Sequence, residues 1–78
     1  MKKIVVTKDF VFLYLHKDFY DENLILKTLP IYSDFFEAKV KSLGSYNILT
    51  IKSKDAEFSN ELLANEFANY LIGEMCNR

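Results

Sequence analysis

The side chains that most often carry chemistry are few and scattered in this sequence. His16 is the only histidine and Cys76 the only cysteine, and they lie far apart along the chain. A zinc site takes three or four ligands, and a cysteine nucleophile needs a base beside it, so neither residue has the companions that such chemistry requires. We expect His16 to make ordinary hydrogen bonds at a strand end. The sequence predicts no catalytic residue, no metal site and no cofactor, and the chain is not expected to be an enzyme.

The acidic residues between positions 18 and 34 are a second candidate for chemistry, because carboxylates can bind a cation. Asp18, Asp21, Glu22 and Asp34 nevertheless fall where helix caps and turns are expected. The chain has only two glycines, which excludes a glycine-rich phosphate-binding loop. These residues are therefore interpreted as structural.

The composition is that of a packed globule rather than of a disordered tail. Of the 78 residues half are hydrophobic and 15% aromatic, which predicts one domain over residues 1–78. The net charge is −1 without a basic stripe, which argues against nucleic acid as a partner. No apolar run approaches the ~18 residues of a membrane span, and the start "MKKIVVTKD" has too short an apolar stretch for a signal peptide. With a single cysteine, these features favour a cytoplasmic location.

The stretch "FFEAKVKSLGSYNILTIKSK" predicts a β-hairpin. Apolar residues alternate with charged ones from Phe36 to Lys41, and Gly44-Ser45 suits a two-residue type II′ turn. That turn fixes the register, because the numbers of paired residues must then sum to 89, as 44 and 45 do. The apolar, core-facing side receives the pairs Val40–Leu49 and Ala38–Ile51. The other side receives Lys41–Ile48, Lys39–Thr50 and Glu37–Lys52.

Two helices are predicted on either side of this hairpin. "YDENLILKTLPIYSD" should be capped by Asp21 or Asp18 and should end or kink near Leu29, because Pro30 lacks a backbone donor and restricts the residue before it. "FSNELLANEFANYLIGEMC" has Asn60 as the favoured N-cap. Its apolar side chains cover an arc of about 200°, whereas a surface helix needs only about 100°.

The N-terminal segments "KKIVVT" and "FVFLYLH" allow two arrangements. A hairpin around Lys8-Asp9, with paired numbers summing to 17, would place Phe10, Phe12 and Tyr14 on one face and the aliphatic side chains on the other. Lys-Asp is a poor pair for a primed turn, so a single bent strand is the alternative.

These elements predict an α+β fold in the order strand or hairpin, helix, hairpin, helix. The expected architecture has two layers: a small, mostly antiparallel sheet of three to four strands with both helices on one face. The other face would expose a surface suited to interaction with a partner. It carries Phe10, Phe12, Tyr14, Tyr46, Ile48, Lys39 and Lys41. The alternative exchanges the faces, so that Phe10 or Phe12 belongs to the core and the aliphatic residues lie outside.

The stretch "FSNELLANEFANYLIGE" resembles the C-terminal signature of the HxsD family, small companions in His-Xaa-Ser peptide-maturation systems. The residues that carry the resemblance are Phe58, Asn60, Glu61, Leu62 and Leu63, followed by a helix with a Glu near its end. The preceding "FYDENLILK", "FEAKV" and "YNILTIK" also look like the family's layout. The family's helix usually carries an Arg after the Leu-Leu pair, whereas residues 64–74 contain no basic residue. The resemblance therefore implies no contact of this chain through an Arg at that part of the helix.

The resemblance implies a role beside a radical S-adenosylmethionine enzyme that modifies a precursor peptide. The expected function is that of a non-catalytic accessory protein that binds the maturation enzyme or the peptide through the aromatic sheet face or a sheet edge. Two alternatives remain at this point. One is a structural module that buries its apolar face in a homodimer, and the other is a small-molecule-binding regulatory domain.

Overall fold

The computed structural model describes residues 2–54 and 57–76 as an α+β fold with a four-stranded antiparallel sheet. The strands are β1 (Lys2–Val6), β2 (Val11–His16), β3 (Phe36–Leu43) and β4 (Tyr46–Ser53). The helices are α1 (Glu22–Thr28), which continues into a 3₁₀ turn (Leu29–Tyr32), and α2 (Asn60–Cys76). The predicted class and element order are confirmed. Neither α1 nor α2 is long and apolar enough to cross a membrane.

The β3–β4 hairpin has the predicted turn and register. Gly44 has a φ of +57°, and no described residue other than glycine has a positive φ, as a type II′ turn with glycine first requires. Leu43 pairs with Tyr46 and Val40 with Leu49, so the paired numbers follow the turn. The local turn chemistry thus fixes which side chains of this hairpin face the core.

β1 and β2 form a hairpin, so the single bent strand is wrong. The paired numbers follow the predicted register, with Ile4 opposite Leu13. The turn avoids the positive φ that Lys8-Asp9 would tolerate poorly, because the Thr7 side chain takes part in closing it. Thr7 Oγ1 accepts from Phe10 N at 3.2 Å and donates to Phe10 O at 2.6 Å. The Thr7 hydroxyl thus closes the turn by hydrogen bonds, and no residue of the turn needs a positive φ.

The two hairpins join through their second strands. The strand order is β1-β2-β4-β3, and β2 pairs antiparallel with β4, with Leu13 opposite Leu49. Each half of the chain has the element order strand, strand, helix. β1 and β3 are the outer strands of the sheet, and β2 and β4 are its inner strands.

Both helices contribute to one core on one side of the sheet. On β2, Val11, Leu13 and Leu15 are fully buried while the residues between them are half-buried. The aliphatic face is therefore the core face, and the alternative with exchanged faces is wrong. The buried core consists of Val11, Leu13, Leu15, Tyr20, Leu24, Ile25, Phe36, Leu49, Ile51, Leu63, Ala64, Phe67, Ala68 and Leu71.

The first helix begins and ends as predicted. Asp21 is its N-cap, and Asp21 Oδ1 accepts from Asn23 N at 2.9 Å. The α-helix stops at Thr28, and Pro30 lies in the first turn of the 3₁₀ segment that follows. Thr28 is buried, and its hydroxyl donates to Leu24 O at 2.7 Å.

The second helix is capped by Ser59, so the expectation that Asn60 is the N-cap is wrong. Ser59 Oγ accepts from Leu62 N at 3.0 Å. Asn60 instead bridges two distant parts of the sheet. Its Oδ1 accepts from Ser53 N at 2.7 Å, and its Nδ2 donates to Asp9 O at 3.2 Å. The Asn60 amide thereby ties the end of β4 to the β1–β2 turn.

One buried side chain of the sheet, that of Asn47, has no hydrogen-bond partner among the described residues. Asn47 is 1% exposed, and both its Oδ1 and its Nδ2 are unpaired. It lies on the core side of β4, opposite Leu15 of β2 and Ser42 of β3. An unpaired buried amide lowers the stability of the fold.

Candidate protein-binding surface

The sheet face opposite the core carries two groups of aromatic side chains in contact, Phe10 with Phe12 and Tyr46 with Tyr14 and His16. The antiparallel registers place two sets of four residues across it: Lys3–Tyr14–Ile48–Lys41 and Val5–Phe12–Thr50–Lys39. We call this surface the aromatic face and define it by Phe10, Phe12, Tyr14, His16, Tyr46 and Ile48. Because both helices pack into the core on the other side, no element of residues 2–54 and 57–76 forms a layer over it.

The rings of the aromatic face pack against one another. Phe10 and Phe12 meet edge to face with centroids 4.9 Å apart, and Tyr46 makes similar contacts with Tyr14 at 5.9 Å and His16 at 5.1 Å. Each of these rings is half-buried. Ile48 lies among them and is only 8% exposed. The rings therefore offer their outer surfaces to a partner, and Ile48 forms the floor beneath them.

The charges around the aromatic face are mostly positive. Four lysines lie on this side of the sheet against one glutamate, Glu37, which gives 4 − 1 = +3 on a chain whose net charge is −1. The lysines are Lys3, Lys39, Lys41 and Lys52. Lys3 Nζ lies 5.8 Å from the Tyr14 ring centroid, so this lysine also contacts the aromatic face. A surface with acidic groups around an apolar centre would complement this face.

The structure brings together all the residues that the sequence places on the interaction surface. The seven are Phe10, Phe12, Tyr14, Tyr46, Ile48, Lys39 and Lys41. Sequence reasoning does not single out Lys3 or His16, which also belong here. The pairing of Lys3 with Tyr14 follows from the β1–β2 register, so that signal is in the sequence. The contacts of His16 with Tyr46 and with Phe19, at 5.5 Å, depend on the turn after β2 and have no such signal.

The residues considered for chemistry lie apart from one another. His16 Nδ1 accepts from Asp18 N at 3.1 Å, a local hydrogen bond of the predicted kind. Cys76 is exposed at the end of α2. Within the part of the chain that the structure describes, no three His, Cys, Asp or Glu residues form a group that could hold a metal ion.

Several hollows lie away from the aromatic face, and two of them flank the segment from Tyr32 to Phe36. One, of about 390 Å³, lies between the first half of β3 and the α1 region. It is lined by Leu26, Leu29, Pro30, Ser33, Phe36, Glu37, Ala38 and Lys54. The other, of about 300 Å³, is lined by Tyr32, Phe35, Phe58, Leu62, Leu63 and Glu66. Burial raises the pKa of the Tyr32 phenol, and the Glu66 carboxylate adds to the rise, so this phenol stays protonated at neutral pH.

Comparison of the chain with models of known protein families, with curated proteins and with solved structures finds no match.

Proposed function

We propose that this chain is a non-catalytic accessory protein that binds a protein partner through its aromatic face. The observation that carries the proposal is the presence of two groups of half-buried rings on a sheet face that the described helices leave uncovered. Aromatic side chains dominate the energetics of protein interfaces, and a contiguous apolar patch on a small protein marks an interaction site. Phe12 is the central anchor, because it lies between Val5 and Thr50 and contacts Phe10.

The charges favour a different protein over a second copy as the partner. A face-to-face homodimer would bring two surfaces of net charge +3 together, whereas an acidic partner would gain from the same lysines. The resemblance to the HxsD family supports a maturation enzyme or its precursor peptide as the partner. On this proposal the chain acts in a peptide-modification system beside a radical S-adenosylmethionine enzyme.

The test has a genetic and a biochemical part. Genes for a radical S-adenosylmethionine enzyme and a His-Xaa-Ser repeat protein should lie beside the gene for this chain. The tagged chain should then co-purify with that enzyme or that precursor. Phe12→Asp should weaken the complex by about 30-fold or more, which corresponds to about 2 kcal/mol for a central anchor. Circular dichroism should still show a folded chain.

Two further variants make the test specific. Phe35→Asp introduces the same charge at an exposed phenylalanine on the helix side, 44% exposed, and should leave binding unchanged. Lys3→Glu alters an exposed rim residue without threatening the fold, and should weaken binding more at low salt than at high salt.

Three outcomes would count against the proposal. Equal binding by Phe12→Asp and Phe35→Asp would remove the aromatic face as the interface. A dimer in light scattering that Phe12→Asp converts to a monomer would assign the face to self-association. If the two neighbouring genes are absent, the proposed role in peptide maturation is wrong, and binding through the aromatic face must be measured with other partners.

A further inference from the structure

The outer edge of β3 presents a row of backbone groups to solvent. In a two-residue hairpin the residues next to the turn, here Leu43 and Tyr46, form a hydrogen-bonded pair, and bonded and non-bonded pairs alternate from there. Odd-numbered residues of β3 therefore point their N–H and C=O groups towards β4. Even-numbered residues, from Phe36 to Ser42, point theirs outward. No described strand pairs with that edge.

Backbone contacts beyond the end of the hairpin confirm this alternation. Lys54 N donates to Phe35 O at 2.9 Å, which continues the bonded odd positions of β3. The preceding amide, Ser53 N, points away from β3 and is taken up by Asn60. The outward direction of the amides at 36, 38, 40 and 42 follows from these two observations together.

A hollow with a mixed, mostly apolar lining lies beside this edge. It is the hollow of about 390 Å³, to which Ala38 of β3 and Leu26 and Leu29 from the α1 region contribute, and which Glu37 and Lys54 also line. Leu26 is 51% exposed, and Ala38 and Val40 are only half-buried. The reason is that α2 packs over β1, β2 and β4. An extended chain paired with β3 would direct every second side chain to this incompletely covered side.

The other side of β3 carries Glu37 as well as Lys39 and Lys41, so the remaining side chains of such a chain would lie beside one acidic and two basic groups. A segment that alternates apolar residues with acidic ones opposite Lys39 and Lys41 would match both sides. A second copy of β3 matches less well. Antiparallel pairing about Val40 would place Lys39 of each copy opposite Lys41 of the other, and pairing about Lys39 would place the two Lys39 side chains opposite each other. Like charges directly opposite each other destabilise a sheet. Pairing about Ala38 would place Glu37 opposite Lys39 but would pair only residues 36–40.

We infer that the outer edge of β3 binds an extended acidic–apolar peptide segment as a fifth strand. The inference rests on the proposed function in that the chain acts by binding a protein, and it adds a second surface to the aromatic face. Main-chain hydrogen bonds would supply affinity, and the hollow and the two lysines would select the sequence.

A fluorescein-labelled heptapeptide of alternating glutamate and valine tests this directly. It should bind saturably in fluorescence anisotropy, and more weakly at higher salt. The amide protons of Ala38 and Val40 should exchange more slowly when the peptide is bound, since they become hydrogen-bonded. A peptide with lysine in place of glutamate should bind about tenfold more weakly or worse. N-methylation of alternate residues, which removes two or more hydrogen bonds, should have the same effect.

Two proline variants provide the matched comparison. Val40→Pro removes an outward N–H that the β3–β4 ladder does not use, so the fold should persist while peptide binding falls about tenfold or more. Val6→Pro makes the same kind of change on β1, at the opposite edge of the sheet, and should bind the peptide as the unaltered chain does.

Several results would overturn the inference. These are absence of peptide binding, unchanged exchange at Ala38 and Val40 under saturation, and equal binding by the Val40→Pro and Val6→Pro variants. Protection of Val40 that rises with protein concentration in the absence of peptide would assign the edge to a second copy. Phe12→Asp separates the two surfaces, because it should weaken capture of the partner through the aromatic face by about 30-fold or more and leave heptapeptide binding at β3 intact.

Discussion

Replacing Asn47 by leucine should make this protein more stable, although most core substitutions do the opposite. Asn47 is 1% exposed and neither amide atom has a hydrogen-bond partner among the described residues. Burial of an unpaired amide costs about 1–3 kcal/mol in protein mutational data. Leucine has nearly the same shape, lacks that cost and adds apolar contact with the core. We therefore expect Asn47→Leu to raise the free energy of unfolding by about 1–3 kcal/mol.

Urea titration followed by circular dichroism measures this change, with an unchanged slope showing that the unfolded state is comparable. In a domain of this size each kcal/mol also raises the melting temperature by about 4–8 °C. Thr28→Val is the matched control. Thr28 is equally buried, at 2% exposure, but its hydroxyl is hydrogen-bonded to Leu24 O. Its loss should therefore lower stability by about 0.5–1.5 kcal/mol.

The two substitutions should change the free energy of unfolding in opposite directions: Asn47→Leu should raise it and Thr28→Val should lower it. If Asn47→Leu is neutral or destabilising, the amide has a partner such as a buried water molecule, and the reasoning from its unpaired atoms is refuted.

Two further substitutions, each with a matched control, test the β3–β4 turn and the Asn60 bridge between the end of β4 and the β1–β2 turn. Gly44→Val should cost about 1–3 kcal/mol through backbone strain alone, because Gly44 has a φ of +57° and an added Cβ would meet no atom within 4 Å. Gly73→Ala, in α2, should instead stabilise by about 0.5–1 kcal/mol, and a loss below about 0.5 kcal/mol at Gly44 would contradict the type II′ turn. Asn60→Ala should cost about 1–3 kcal/mol, since it removes the side-chain hydrogen bonds with Ser53 N and Asp9 O, whereas Asn65→Ala removes a hydrogen bond within one exposed helix face and should cost less than about 0.5 kcal/mol. Equal costs at Asn60 and Asn65 in urea titration would mean that the bridge contributes no stability.

The features that could be predicted from the sequence are those that short-range chemistry determines. The Gly44-Ser45 turn allows one register, and that register decides which side of β3 and β4 faces the core. The alternation in β2 then assigns the aliphatic residues to the core and the rings to the aromatic face. All the residues predicted for the interaction surface lie on one side of the sheet for this reason.

Most of the features that could not be predicted depend on contacts between distant parts of the chain. β2 pairs with β4, and neither hairpin turn determines how the two hairpins pair with each other. Asn60 has the side chain of a good N-cap, but its amide bonds Ser53 and Asp9 instead, and Ser59 caps the helix. The Thr7 hydroxyl closes a turn that Lys8-Asp9 alone would disfavour. The Asn60 side chain could serve either as an N-cap or as a bridge, and only the tertiary fold decides between these two roles.

The repeated strand–strand–helix order has a consequence for the integrity of the chain. Each half of the chain forms one strand–strand–helix unit. The two units are joined covalently through residues 33–35 and pair with each other along the β2–β4 ladder. The outer strands carry four of the five lysines that lie in the sheet, and the inner strands carry only the fifth, Lys52. Cleavage of the connecting segment would leave two fragments, each with a largely apolar strand at its new edge: β2 without a lysine and β4 with Lys52 alone. Such edges recruit other strands, so an intact connection keeps the most aggregation-prone edges of this fold paired with each other.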